Sequence, residues 1–222
     1  MKITRRKMPI PGKDPGFVLG SFLELGLVAH ASAVGEVIKR AEREARQEDT
    51  LDRIQHTWQH QELASMSYEE TGVDLLALGG DEERSLENDI LSLGTMLQAS
   101  LGASSDASAA IAFDFHRKRG LELQETLVHL SSLLQNLARV QGLWTSLLHV
   151  FDAEEVRQDL SLDSKTFREA DSSFRFLVGR LQKMRYALKI ARETGIGAKL
   201  SALTEKLEGC KRAVWCVTLP QC

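Results

Sequence analysis

The sequence predicts an all-α protein, a helical bundle of long antiparallel helices drawn out into a rod, with one short β-hairpin. Three observations carry that class. Leu, Ala, Glu, Arg and Gln are abundant while the 222 residues hold only four Pro and two Tyr, a balance that favours helix over sheet. Apolar residues recur at steps of three and four over long stretches, the period of one helix face. The chain is 43% hydrophobic and 27% charged, ordinary for a soluble protein and enough for one sizeable core or two small ones.

Residues 1–16 read as a basic, Pro/Gly-rich arm. Lys2, Arg5, Arg6, Lys7 and Lys13 stand there against Asp14 alone, so the rest of a chain of net charge −3 carries −7. Five charges beside three prolines are the composition of a solvated terminus, and no nucleic-acid partner is expected. "MPIPGKDPG" marks a boundary, and "FVLGSFLELGL" at 17–27 a short apolar element. A first helical segment, 17–100, then begins in earnest: Val34, Ile38, Ala41, Ala45, Leu51, Ile54 and Trp58 share one face of a long helix. Glu48 is the single polar intrusion on that seam.

The pattern changes at 63–78, "LASMSYEETGVDLLAL", where Glu-Glu-Thr-Gly separates two short apolar runs and Gly79-Gly80 closes the segment. A hairpin fits. Asp81 then reads as the cap of a helix whose Leu86, Ile90, Leu93 and Leu97 repeat at 4, 3, 4, the spacing of a seam between two helices. A Ser/Ala/Gly-rich linker at 101–109 is too poor in large apolar side chains to fold alone.

The second bundle segment, 110–214, holds the longest stripe: Leu123, Leu127, Leu130, Leu134, Leu137, Gln141, Trp144, Leu148 and Phe151. Trp144 is thus a core residue near the end of a seam. Asp152 and Asp163 read as caps of two restarting helices, with helices over about 163–193 and 197–214 and a turn marked by Gly195 and Gly197. In the tail, 215–222, Trp215, Val217 and Leu219 join Val214 as an apolar cluster beside Cys216, so self-association through residues of about 207–222 is expected.

Site chemistry is sparse. His56 and His60 stand at i, i+4, but no acid lies between them as a hydrolytic zinc helix requires, and no third ligand is apparent. They read as solvated helix histidines, and His129 and His149 as residues bordering the leucine seam. "ETGIGAKLS" lacks the adjacent Gly-Lys-Ser/Thr of a phosphate loop and follows a helix instead of a strand. Cys210, Cys216 and Cys222 are odd in number and lack metal spacing, so three reduced thiols are expected. No run nears the roughly 18 apolar residues of a membrane span, and no apolar core of a secretory signal is present. No membrane contact, catalytic residue, cofactor or metal is expected, and a cytoplasmic place is.

Read in order, these segments resemble the dynein heavy chains, in the part running from the end of the tail into the linker. "FVLGSFLELGLVAH" at 17–30 follows that family's "TLxxLLxLGLxxH". "VIKRAEREARQEDTLDRIQHTW" reproduces "IxxxAxxExxxExxLxxIxxxW" up to Trp58. Residues 140–174 meet "VQxxWxxLxxIFxxxDIxxxLPxExxxFxxxDxxW" without a gap, through Gln141, Trp144, Leu147, Phe151, Leu160, Phe167 and Asp171. Departures are visible too: Leu123, Leu137 and Phe174 stand at family tryptophans, and Ser161 replaces the usual Pro. After Leu207 the likeness fades.

The resemblance implies a mechanical element of a microtubule-based motor, which relays motion between an AAA+ ring and the tail and does no catalysis of its own. The ring, stalk and microtubule-binding domain of the family are absent from this sequence. Implied partners are the other parts of a dynein heavy chain and subunits of a dynein complex, on the cytoskeleton of cytoplasm, cilium or axoneme. The same patterns would also serve a free-standing helical adaptor that scaffolds partners through exposed seams. An enzyme with a dispersed active site would need a pocket with converging polar groups, which no pattern here demands.

Overall fold

The computed structural model of the protein describes residues 27–68, 71–99 and 107–218. The arm at 1–16, the apolar element at 17–26, the first part of the linker at 101–106 and the chain end at 219–222 lie outside the described residues. Two compact units are Met1–Glu48 and Asp49–Cys222.

Among the described residues of the first unit, a 3-10 turn at Leu27–His30 opens helix α1, Ala31–His60, whose last turns belong to the second unit. The apolar seam of α1 divides along its length. Leu51, Ile54 and Trp58 are fully buried, whereas Val37 and Ile38 are more than half exposed and Ala41 and Ala45 are exposed as well. In the first unit polar pairs line the helix surface, Lys39 meeting Glu36 at 3.3 Å.

The second unit continues with strands β1 (Ala64–Tyr68) and β2 (Val73–Ala77), an antiparallel hairpin in which Met66 pairs with Leu75. The hairpin expected at 63–78 is therefore present. Gly72 supplies the positive φ, 67°, that the turn demands at no steric cost. Helices α2 (Gly80–Ala99), α3 (Ala107–Asp152), α4 (Glu154–Asp159), α5 (Ser161–Met184), α6 (Ala187–Arg192) and α7 (Ile196–Thr218) complete an all-α architecture.

Helix α3 organises this unit because its apolar residues serve two buried clusters. Leu123, Leu127 and Leu130 join Leu51, Ile54, Trp58, Leu86 and Leu93 from α1 and α2, with Ala187 and Leu188 from α6. Further along, Leu137, Val140, Trp144, Leu147 and Phe151 join the apolar faces of α5 and α7 and the hairpin's Val73 and Leu76. Burying a Leu or Phe side chain contributes about 1.5–3 kcal/mol, so both halves of one helix are tied down by packing.

Several helix ends differ from the sequence expectation. Asp81 lies inside the first turn of α2, which Gly80 opens, and meets Arg84 one turn on. Asp152 closes α3, and the extended residue before α4 is Ala153, whose methyl accepts no hydrogen bond. Asp163 is the third residue of α5, behind Leu160 at the cap position. Each carboxylate misses its capping role by one to three residues, yet those of Asp81 and Asp163 still lie in the electropositive first turn. The helix expected over 163–193 is broken: α5 stops at Met184, Arg185 takes φ 60° and ψ −53°, and α6 restarts at Ala187. Among the described side chains of the segment 207–222, Leu207 and Cys210 are buried in the core and Trp215, 57% exposed, stands out as a large apolar group. Those two residues are therefore not available for association.

Candidate functional site: the hairpin dock

The structure gives Gln141, the polar member of the long seam, the task of holding the hairpin onto the bundle. Gln141 sits one helical turn before Trp144 on the buried face of α3, where a polar side chain must find partners. Its Oε1 accepts from the Leu76 N–H at 2.7 Å and its Nε2 donates to the Leu76 C=O at 3.0 Å. A primary amide carries the same donor and acceptor as a peptide unit, so Gln141 replaces a neighbouring strand along the inner edge of β2.

Trp144 anchors a second polar group. Its ring is fully buried, 4.8 Å from Phe174 on α5 and 5.8 Å edge-on from Tyr68 at the end of β1. The indole Nε1–H donates to Asp171 Oδ1 at 2.8 Å. Arg175, one turn along α5, donates to both Asp171 oxygens at 2.9 and 3.0 Å and to the Thr71 carbonyl of the hairpin turn at 2.7 Å. Its guanidinium lies 5.6 Å from the Trp144 ring centroid, within cation–π range. Gln182 adds a bond to Asp74 of β2 at 2.8 Å, and Asp74 also accepts from Ser65 at 2.7 Å.

The remaining residues singled out from the sequence are placed as follows. Leu147 and Phe151 are core residues of α3, and Phe151 stacks on Phe167 of α5 at 4.8 Å and 14°. Trp58 lies in the other cluster, apart from the dock, and donates to Asp89 of α2 at 2.9 Å. Sequence reasoning missed Asp89, which is 6% exposed and also meets Arg53 at 3.4 Å. The available signal was its position, three residues after Leu86 and four before Leu93, on a seam facing a Trp whose N–H needs an acceptor.

A further clasp, also unforeseen, joins the end of α1 to the break after α5. Leu63 N–H donates to the Arg185 carbonyl at 3.2 Å, Ala187 N–H donates to the Gln61 carbonyl at 2.8 Å, and Arg185 meets Glu62 at 2.9 Å. Its parts are scattered over more than 120 positions, and nothing in their local spacing announces them.

His56 and His60 are exposed, with ring centroids 4.4 Å apart, and His60 Nδ1 donates to the His56 carbonyl at 2.8 Å. Among the described residues no group of three His, Cys, Asp or Glu side chains could hold a metal. "ETGIGAKLS" covers the turn at 193–195 between α6 and α7, with Gly195 at φ 84°, and the opening of α7 from Ile196. Cys210 is buried; burial and the Asp163 carboxylate push its thiol above the ordinary range. Ser161 opens α5 at the first helical position, where the fixed φ of Pro is also accommodated, so the exchange leaves the helix start intact. No helix among the described residues is long and apolar enough to cross a membrane.

Comparison with known proteins agrees over most of the chain. A family described as "Dynein heavy chain, N-terminal region 2" matches residues 1–215. The dynein alpha chain of the flagellar outer arm of Chlamydomonas reinhardtii is 23% identical over 94% of this chain and 4% of its own length. The human dynein axonemal heavy chain 2 is 26% identical over 91% of this chain and 4% of its own. The Chlamydomonas dynein beta chain of the flagellar outer arm is 25% identical over 90%, again 4% of its length. The chain thus spans about 4% of the length of these relatives.

Proposed function

The chain belongs to the dynein heavy chain family, through its N-terminal region 2, and on that premise we propose that it is a mechanical element of a motor complex, corresponding to the part of a heavy chain where the tail passes into the linker. In this reading it carries motion between an AAA+ ring and the tail and performs no catalysis. Its partners are the ring and tail segments of a dynein heavy chain and other subunits of a dynein complex. Its relatives include flagellar, axonemal and ciliary dynein chains, which favours a place on the axonemal cytoskeleton.

The observation that carries this reading is the double use of α3, a 46-residue helix whose apolar residues from Leu123 to Phe151 contribute to both buried clusters. A close-packed helix held on both halves passes displacement along its axis with little loss, because such interiors are hardly compressible. The dock adds polar bonds that lock the hairpin, α3 and α5 into one relation, and these are directional where apolar packing is not.

A chimera tests it. This chain replaces the matching segment of a flagellar outer-arm heavy chain, and ATP hydrolysis and microtubule gliding are measured together. The expected result is gliding close to that of the parent, while a flexible Gly/Ser replacement of equal length leaves hydrolysis and abolishes gliding. Gliding with the flexible segment equal to that with this chain would refute the mechanical role, and nucleotide hydrolysis by the purified chain alone would refute the absence of catalysis.

A further inference from the structure

Among the described residues strand β1 is an outer edge of the two-stranded sheet, and its own sequence has none of the devices that usually protect one. Natural edge strands carry Lys, Pro or a bulge to deter pairing with another chain, whereas β1 reads Ala-Ser-Met-Ser-Tyr, without charge or Pro. Residues 64–67 are all exposed, Met66 by 71%.

The register shows which backbone groups that edge presents. Leu76 gives its N–H and C=O to Gln141, away from β1, and Leu76 pairs with Ser65. In an antiparallel ladder, pairs that exchange hydrogen bonds alternate with pairs that do not, so Leu76 and Ser65 form one of the latter. Ser65, and Ser67 two residues on, therefore turn their own N–H and C=O to the far side of β1. The neighbouring Leu63 N–H points the same way and is taken by the Arg185 carbonyl, so the open edge begins at Ala64.

We infer that this edge pairs with the same edge of a second copy of the chain, antiparallel and centred on Met66. The sequence Ser-Met-Ser is symmetric about that residue, so a twofold axis through Met66 sets each Ser65 against Ser67 of the other copy. Both such pairs are then of the bonded kind, exchanging N–H···O=C bonds in both directions, while the two Met66 side chains meet as a close, non-bonded pair and leave water together. Absence of charge on β1 means that self-pairing brings no like charges face to face, the usual obstacle to an isologous contact. Five residues a side bury far less than a standard stable interface of about 1,600 Å², so the pairing is weak and serves copies already held close together.

Two measurements test this on the full chain, with Cys216→Ser and Cys222→Ser to remove reactive thiols. Facing residues at a non-bonded site have Cα atoms about 4.5 Å apart, inside the roughly 4.4–6.8 Å that a disulfide spans. Under oxidised glutathione, Met66→Cys should form a covalent dimer at least about tenfold faster than Leu91→Cys, a control on an exposed face of α2, and Ser67→Pro should remove that advantage, since its N–H is not used by β2. Independently, the concentration-dependent rise in sedimentation coefficient should vanish in Met66→Lys and persist in Trp215→Ala. Equal cross-linking at positions 66 and 91, cross-linking indifferent to Ser67→Pro, or association abolished by Trp215→Ala and not by Met66→Lys would each overturn the proposal.

Discussion

Gln141 treats Leu76 as a neighbouring strand would, taking its N–H at 2.7 Å and giving to its C=O at 3.0 Å. Both partners are buried, at 8% and 3% exposure, so water does not replace the bonds when the amide is removed. Gln141→Leu keeps most of the volume and orphans two backbone groups, and each buried unsatisfied group costs about 1–3 kcal/mol. A loss of about 2–4 kcal/mol in urea melts is expected, with faster amide exchange in 73–77. A loss below about 0.5 kcal/mol would mean that the hairpin finds other partners.

Trp144 and His56 make a contrast between a seam residue and a surface one. Trp144→Ala empties a fully buried aromatic and should cost about 3–5 kcal/mol. Trp144→Phe keeps much of the packing but strips Asp171 of one of its donors, for an expected cost of about 1–3 kcal/mol. His56→Ala, on an exposed face, should stay within about 0.5 kcal/mol. Chemical denaturation of the three variants side by side checks the order.

The dock also shows how far the sequence was legible. The period of apolar residues located α1, α2 and α3 and put Trp144 in the core, because a helix face is a local property that burial repeats every turn. Gln141 stood on that stripe as its polar member, so its position could be read while its task could not: the partner, Leu76, lies 65 residues away. Asp89 hid for the same reason, since a carboxylate on a helix looks solvated until the indole that needs it is seen. The break at Arg185 carries no Gly or Pro and is set by the clasp to Gln61 and Leu63, a tertiary constraint that overrides the helical preference of "LQKMRYALKI". The exposed half of the α1 seam marks the opposite case, where the pattern was right and burial did not follow it.

The Cys210 thiol should make stability depend on pH. Burial first, and the Asp163 carboxylate second, raise the Cys210 thiol above its ordinary value of 9.0. The unfolded chain therefore loses this proton at lower pH than the folded chain, and the contribution to stability is complete below about pH 9 and declines as pH climbs from there through the folded value. In urea melts between pH 8 and 10, the wild type should lose more stability than Cys210→Ala, in which that titration is missing. A thiol reagent on the native protein should modify exposed Cys216 quickly and Cys210 only upon unfolding.

Arg185 offers a test of stored backbone strain. Its φ of 60° with ψ of −53° and the Tyr186 N–H bonded to the Met184 carbonyl at 2.7 Å describe a γ-turn of the rare, strained hand. A non-Gly residue held there costs about 1–3 kcal/mol, and the clasp to Gln61 and Leu63 supplies the compensation. Arg185→Gly removes the side-chain clash at an entropic cost of about 0.5–1 kcal/mol and sacrifices a largely exposed ion pair with Glu62, worth about 0–1 kcal/mol. The balance favours a net gain of about 0.5 kcal/mol. Arg185→Ala loses the same ion pair while keeping the strain, so it should fall below wild type. The expected order of urea midpoints is Gly, then Arg, then Ala at this position; Ala equal to or above Gly would show that the turn is not strained and that the Arg185–Glu62 pair, with the two backbone bonds beside it, is what fixes the break.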